Sequence, residues 1–376
     1  LSSNQLDIGQ LDEAAELLEG AVLEAEPYPE VQADLLARTA RCYMRLIRDE
    51  EAVVAADRAI VLAEPLMLDR IVAEAMVNKG SALMKLGRVR EPVLLLSAAA
   101  ELAQEVGDYD LALRARGNLS VALFMHDLPA AQQLRREGVE LATRLGSFKW
   151  RDLFVAASLG SADVAGLDWD GALEALDERL AEGLDSFARI ELLDNKARLQ
   201  IQRGDDPHET MAAMRAVCDE LGDPQVLADF TALEGERAYH EGRPEEALAK
   251  LREATPQMGQ NMALGWVSQA IAATILGDVE ALRAAEEPLR NDPQYNHAMA
   301  ATKELASACL AALEGRGTEA VALFRRSVEH FEAAGWHYWT AYTRVLALRT
   351  MPGEPAFDGW ADAARERLEP LGAKPA

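Results

Sequence analysis

Basic residues are scarce: 38 Lys and Arg stand against 63 Asp and Glu, a formal charge of −25. Nucleic-acid binders replace counterions with Lys and Arg, so a DNA or RNA backbone is excluded as the main partner. Aromatics make up only 6% of the chain, and much of its apolar content is Ala and Leu, which favours helix over sheet. The three cysteines, Cys42, Cys218 and Cys309, lie far apart, which suits a reducing compartment and offers no disulfide framework. No apolar run reaches the roughly 18–20 residues of a membrane span. No charged-then-apolar leader is visible, so a cytoplasmic protein without a membrane partner is expected. Linkers of Ser/Gly, Pro-rich tracts and separating charge blocks are absent too. At 49% hydrophobic, the chain is nevertheless not disordered by composition.

What is present is a recurring turn. Gly9, Ile47-Arg48, Gly87, Asp127, Leu167-Asp168, Gly204, Gly242, Gly277, Gly315 and Gly353 mark a period of about 38 residues. Each turn is followed by a similar start, as in Gly9-Gln10-Leu11-Asp12-Glu13-Ala14 and Gly242-Arg243-Pro244-Glu245-Glu246-Ala247. Glycine ends one helix in a left-handed conformation. The acids and Pro244 suit the first turn of the next helix, where the dipole is positive. Second turns fall between repeats at Glu26-Pro27-Tyr28-Pro29, Gly107-Asp108, Gly222-Asp223-Pro224 and Asn291-Asp292-Pro293. Each repeat therefore reads as two antiparallel helices. Met76, Gly80, Leu83 and Met84 fall on one helical face, and no alternating strand of useful length is found.

The stretch from Ala73 to Gly87 resembles the first helix of a tetratricopeptide (TPR) repeat. Gly80 would be the small residue at a close helix approach, Leu83 the filler of the inter-helix slot, and Gly87 the turn. Ala14, Ala52 and Ala247 match the small residue of the second helix; Pro92 departs from it. The resemblance implies an all-α, right-handed α-solenoid of about ten TPR-like helix pairs. It would form one superhelical domain over residues 1–376, with an incomplete first repeat and a last repeat at about 336–372. The end of the chain, with Ala320–Val328, Phe331–Gly335, Tyr342–Leu348 and Ala364–Ala373, resembles the helical repeats near the carboxyl end of bacterial signal-transduction (STAND) ATPases. That group includes maltose-regulator-like activators and cyclase-linked or helix-turn-helix-linked regulators. The opening Leu and half-repeat would then mark a piece of a longer protein.

Motifs for chemistry are missing. No phosphate loop occurs; Gly315-Arg316-Gly317-Thr318-Glu319 has neither the lysine nor a preceding strand. Gly160-Ser161-Ala162-Asp163-Val164-Ala165-Gly166 misses the nucleophile-elbow spacing, and the sheet that motif needs is absent. The six histidines form no His-x-x-x-His, and Gly335 separates His330 from His337. Asp205-Asp206 and Glu245-Glu246 read as helix caps. The expectation is a non-enzyme with no cofactor and no metal.

Binding is the remaining class. In stacked helix pairs the first helices line the concave face. Arg38, Asn78, Asn118 and Asn195 each stand nine residues before a turn, and by the TPR resemblance that position points into the groove. Asn has poor helix propensity, so its recurrence within helices needs a reason. Its amide carries donor and acceptor together. Arg41 and Arg114 flank this stripe at one turn. The alternative is that each Asn bonds a neighbouring helix. Leu233, Ser268 and Ala306 take the equivalent position later, which predicts a more apolar second half. Trp336, Trp339 and Tyr342, with Trp266, form either terminal packing or an aromatic anchor for a partner. The expected function is a ligand- or protein-binding sensor or scaffold of a bacterial signalling or transcription regulator. Its partner would be a peptide, a protein domain or a small polar effector. The other readings are a stand-alone interaction scaffold and self-association through terminal repeats.

Overall fold

The computed structural model describes residues 11–46, 48–184, 186–258, 262–292 and 296–374. These are helical throughout, joined by turns, with no strand among the described residues. Gly9, Ile47 and Pro293 of the sequence turns lie outside them. Contacts divide the chain into two compact units. Unit 1 comprises Leu1–Phe124, Ala130–Phe154 and Pro293–Asn296; unit 2 comprises Met125–Pro129, Val155–Asp292 and His297–Ala376.

Unit 1 opens with α1 (Leu11–Glu24) and continues through α2 (Pro29–Arg45), α3 (Asp49–Ala63), α4 (Asp69–Lys85), α5 (Arg90–Glu105) and α6 (Tyr109–Phe124). Then come α7 (Leu128–Arg144) and α8 (Phe148–Leu159), each divided between the units. Unit 2 adds α9 (Ala162–Ala165), α10 (Trp169–Leu180), α11 (Ser186–Arg203), α12 (His208–Leu221) and α13 (Pro224–His240). It ends with α14 (Pro244–Ala254), α15 (Met262–Leu276), α16 (Val279–Asn291), α17 (His297–Leu313), α18 (Gly317–Ala334), α19 (His337–Thr350) and α20 (Trp360–Leu368).

The local chemistry accounts for these boundaries. At the end of α4, Gly87 takes a φ of 79°, so the N–H of Arg88 reaches Leu83 O at 3.0 Å and that of Gly87 reaches Met84 O at 3.1 Å. Only glycine adopts this turn at low cost. Acids then start helices: the Asp278 carboxylate accepts the N–H of Ala281 at 3.0 Å, and Asp108 accepts that of Leu111 at 3.1 Å. Part of the large negative charge is spent in this local way. Pro92 is buried in the first turn of α5, where its missing N–H costs nothing.

Packing follows sequence order. Most helices pack on their successors, and alternate helices touch as well: α2 on α4, α4 on α6, α11 on α13, α15 on α17 and α17 on α19. The interfaces are built from small residues; Ala33, Ala37, Ala40, Ala52, Ala56 and Ala59 are fully buried. At Gly80 a Cβ would lie 2.9 Å from Leu96 Cγ, so α4 and α5 approach closer there than a side chain permits. Unit 2 has an added feature. Its end returns to its beginning: α9 packs on α19, Trp169 lies 5.4 Å from Tyr338 between ring centres, and Lys374 N donates to Gln202 O at 2.8 Å. Among the described residues no helix is long and apolar enough to cross a membrane.

Gly80→Val should destabilise the protein by about 1–3 kcal/mol through overpacking against Leu96. Gly20→Ala, at a helical site with nothing within 4 Å of the new Cβ, should stabilise it by about 0.5–1 kcal/mol. Urea midpoints at unchanged m-value measure both.

Candidate functional site

Along unit 1, polar side chains bridge one helix pair to the next. Asn78, only 1% exposed, donates from Nδ2 to Ala37 O at 2.9 Å, linking α4 to α2. Lys85 Nζ donates to Met44 O at 2.9 Å between the same helices. Asn118 Nδ2 donates to Ser81 Oγ at 2.8 Å, linking α6 to α4, while Ser81 donates to Val77 O. The pattern recurs in unit 2, where Asn195 Nδ2 donates to Ala156 O at 3.1 Å. These amides meet backbone and hydroxyl groups of the preceding pair, the neighbouring-helix alternative. Asn195 belongs to a different unit from Asn78 and Asn118.

The arginines behave differently from one another. Arg38 is taken up by Asp34, with Nε 2.7 Å from Oδ2. Arg114 packs against the Asn78 amide, its Nη2 3.3 Å from Oδ1 and 3.9 Å from Glu74 Oε1, while its buried Nε has no hydrogen-bond partner. Burial pushes the Arg114 pKa down to about 10, and the positive charge of Arg41 pushes the same way, against the pull of Glu74. Arg114 thus stays charged at neutral pH but is under-compensated. Arg41 is half-buried and forms no hydrogen bond or ion pair among the described residues. Arg70, at the end of the same face, spans Asp34, Glu74 and Asp108, the last at 2.9 Å.

Beside these charges lies an open groove of ≈ 580 Å³, lined by Val31, Asp34, Met67, Arg70, Ile71 and Val106 among others. Its apolar part belongs to a regular row. Tyr28, Met67, Val106 and Leu145 stand at intervals of 39 residues, one at each turn between pairs, and all four are exposed. The sequence reading missed this row because each residue sits alone among polar neighbours; the shared interval is the signal that could have found it.

The aromatic candidates are placed in unit 2. Trp336 is buried and stacks on Phe331 with ring centres 6.0 Å apart. Tyr342 is buried too, so neither offers an exposed anchor. Trp339 is half-buried, edge-on to Tyr342 at 5.6 Å. Trp266 is half-buried on α15 with no ring contact among the described residues. The later first helices are not simply apolar: Arg198 and Glu236, one turn beyond Asn195 and Leu233, put ionised groups on that face. His330 lies against His297, Nδ1 to Nδ1 at 3.2 Å, and His297 stacks on His126 at 4.7 Å. Burial, then each of these neighbours, lowers the His297 pKa. No group of three His, Cys, Asp or Glu among the described residues is placed to hold a metal.

Truncating Asn78 strips Ala37 O and Arg114 of a buried partner. Asn78→Ala should therefore cost about 1–3 kcal/mol in chemical denaturation, with helicity retained in the folded state.

No family model matches the chain, and no curated protein is significantly similar to it in sequence.

Proposed function

We propose that the chain is a non-catalytic binding module of the TPR-like solenoid kind, a sensor or scaffold in a bacterial signalling or transcription regulator. It takes an anionic group of a peptide, a protein domain or a small effector on the first-helix face of unit 1. The observation that carries this reading is Arg41, a guanidinium without a counter-ion among the described residues, beside under-compensated Arg114, in a chain of formal charge −25. A guanidinium left without an ion pair amid such an excess of acid is fitted to a carboxylate or phosphate, which it binds through two parallel N–H groups. The tetratricopeptide reading is supported by the period, by alternate-helix packing and by the close approach at Gly80. The link to an ATPase rests on sequence resemblance. A phosphate-loop core encoded upstream in the native gene supports it, and a stand-alone reading frame rejects it.

Arg41→Ala should weaken binding of a labelled Glu-rich peptide, or of citrate, at least tenfold in fluorescence anisotropy or calorimetry, with unchanged circular dichroism. Affinity should also fall with added salt. Equal affinity of the wild type and Arg41→Ala for both probes would sink the assignment.

The exposed row from Tyr28 to Leu145 favours a second reading, a scaffold that also self-associates. Sedimentation equilibrium should then show a concentration-dependent dimer that Met67→Asp with Val106→Asp abolishes. A wild-type monomer at all concentrations would remove this reading.

A further inference from the structure

Inside unit 2, α9, α11, α13 and α19 meet around a cavity of ≈ 30 Å³, the volume of one water-sized group. Asp163, Gln202, Glu236, His240, Trp339 and Tyr342 are among the residues that line it. Arg198 reaches it from α11, with Nε on Asp194 at 2.9 Å and Nη1 on Glu236 at 2.6 Å. The other oxygen of Glu236 accepts from Ser268 Oγ at 2.9 Å. One guanidinium therefore serves three carboxylates, and it is already engaged by two of them.

The third carboxylate, Asp163, accepts only the N–H of Val164 and forms no ion pair among the described residues. Three further polar atoms on the cavity wall are buried without a partner: Tyr342 Oη, Gln202 Oε1 and His240 Nδ1. Tyr342 is 2% exposed and Gln202 is 8% exposed. Burial pushes the His240 pKa down to about 4, so the ring is neutral. The Lys374 backbone opposes that shift, and Nδ1 is buried without a partner. The wall thus presents the Asp163 carboxylate, two unpaired acceptors and a phenol that can accept or donate, and its one guanidinium is already engaged. An anion would meet repulsion from three carboxylates, and an apolar group would leave every acceptor unpaired. Tyr338 and Trp339 add ring surface, which attracts cations.

We infer that this cavity takes the ammonium head of a small primary amine, with Asp163 as its counter-ion and Tyr342, Gln202 and His240 as acceptors for its N–H groups. A water molecule has two hydrogens to donate and no charge; an –NH₃⁺ group has three and carries the charge that Asp163 lacks. The Asp163 pKa stands raised to about 7, chiefly by burial and further by Asp194 and Glu236, against the pull of Arg198. A bound cation lowers it, so binding near pH 7 releases a proton. The charged or titratable groups facing the cavity from the surrounding helices are Asp163, Arg198, Glu236, Tyr239, His240, Tyr338 and Tyr342, with Asp194 behind Arg198.

The test titrates the intact chain with methylammonium chloride, and with potassium chloride at equal ionic strength. Thermal shift and tryptophan fluorescence are the readouts, with proton release followed by calorimetry in two buffers. The expected result is a saturable stabilisation by methylammonium, at least tenfold stronger than by potassium, with proton release near pH 7. Asp163→Asn should weaken it at least tenfold and abolish the proton release. Tyr342→Phe, which keeps the ring, should weaken it by a smaller factor, and Arg41→Ala in unit 1 should leave it unchanged. An equal response to potassium overturns the inference, as does no saturable response to methylammonium. Wild-type affinity in both cavity variants at unchanged helicity overturns it too.

Discussion

The distance between helices governs this molecule, and alanine sets that distance. With Ala33, Ala37, Ala40, Ala52, Ala56 and Ala59 fully buried between α2, α3 and their neighbours, backbones come close and each helix buries only a shallow apolar face. Most helices therefore lean on a successor, and several on the next but one. Close backbones also bring carbonyl oxygens within reach of side chains from the following pair. The Asn78–Ala37, Lys85–Met44 and Asn195–Ala156 bridges all exploit that proximity. A helix carbonyl already bonded to an N–H keeps a second lone pair, so these bridges do not weaken the helix they touch.

The two units distribute charge in opposite senses. Unit 1 keeps Arg41 without an ion pair among the described residues on its first-helix face, and its charge lowers the pKa of the partly compensated Arg114. Unit 2 keeps carboxylates in excess in its interior, with Asp163, Asp194 and Glu236 around Arg198. Both arrangements cost folding free energy, because a charge taken out of water without a full complement of partners is destabilising. Such costs collect where a molecule recognises others.

Much of the architecture was readable in the chain. The glycine turns and acidic helix starts located the helices, since φ preference and dipole are local properties of a few residues. Gly80 was readable as a close approach for the same reason. The candidate face was only half legible. Spacing put Asn78, Asn118 and Asn195 at equivalent positions, but whether an amide meets a ligand or the preceding helix depends on a distance that spacing does not encode. Arg38 and Arg41 look alike in the sequence; Asp34 one turn before Arg38 decides that one is paired and the other not. The cluster around Asp163 was not legible at all. Its members come from helices up to about 180 positions apart, and Ser161-Ala162-Asp163-Val164 reads in isolation as an ordinary helix start.

The return of the chain in unit 2 restricts how such a protein can change by duplication. In unit 1 the described helices touch mainly their near neighbours in the chain. In unit 2 the end also returns to the beginning. The helices from α10 to α18 must carry the backbone from Trp169 round to Tyr338, and those from α11 to α20 from Gln202 round to Lys374, in register. One repeat more or fewer would part both contacts. The length of chain between those contacts is thereby tied to the geometry of the helices that connect them.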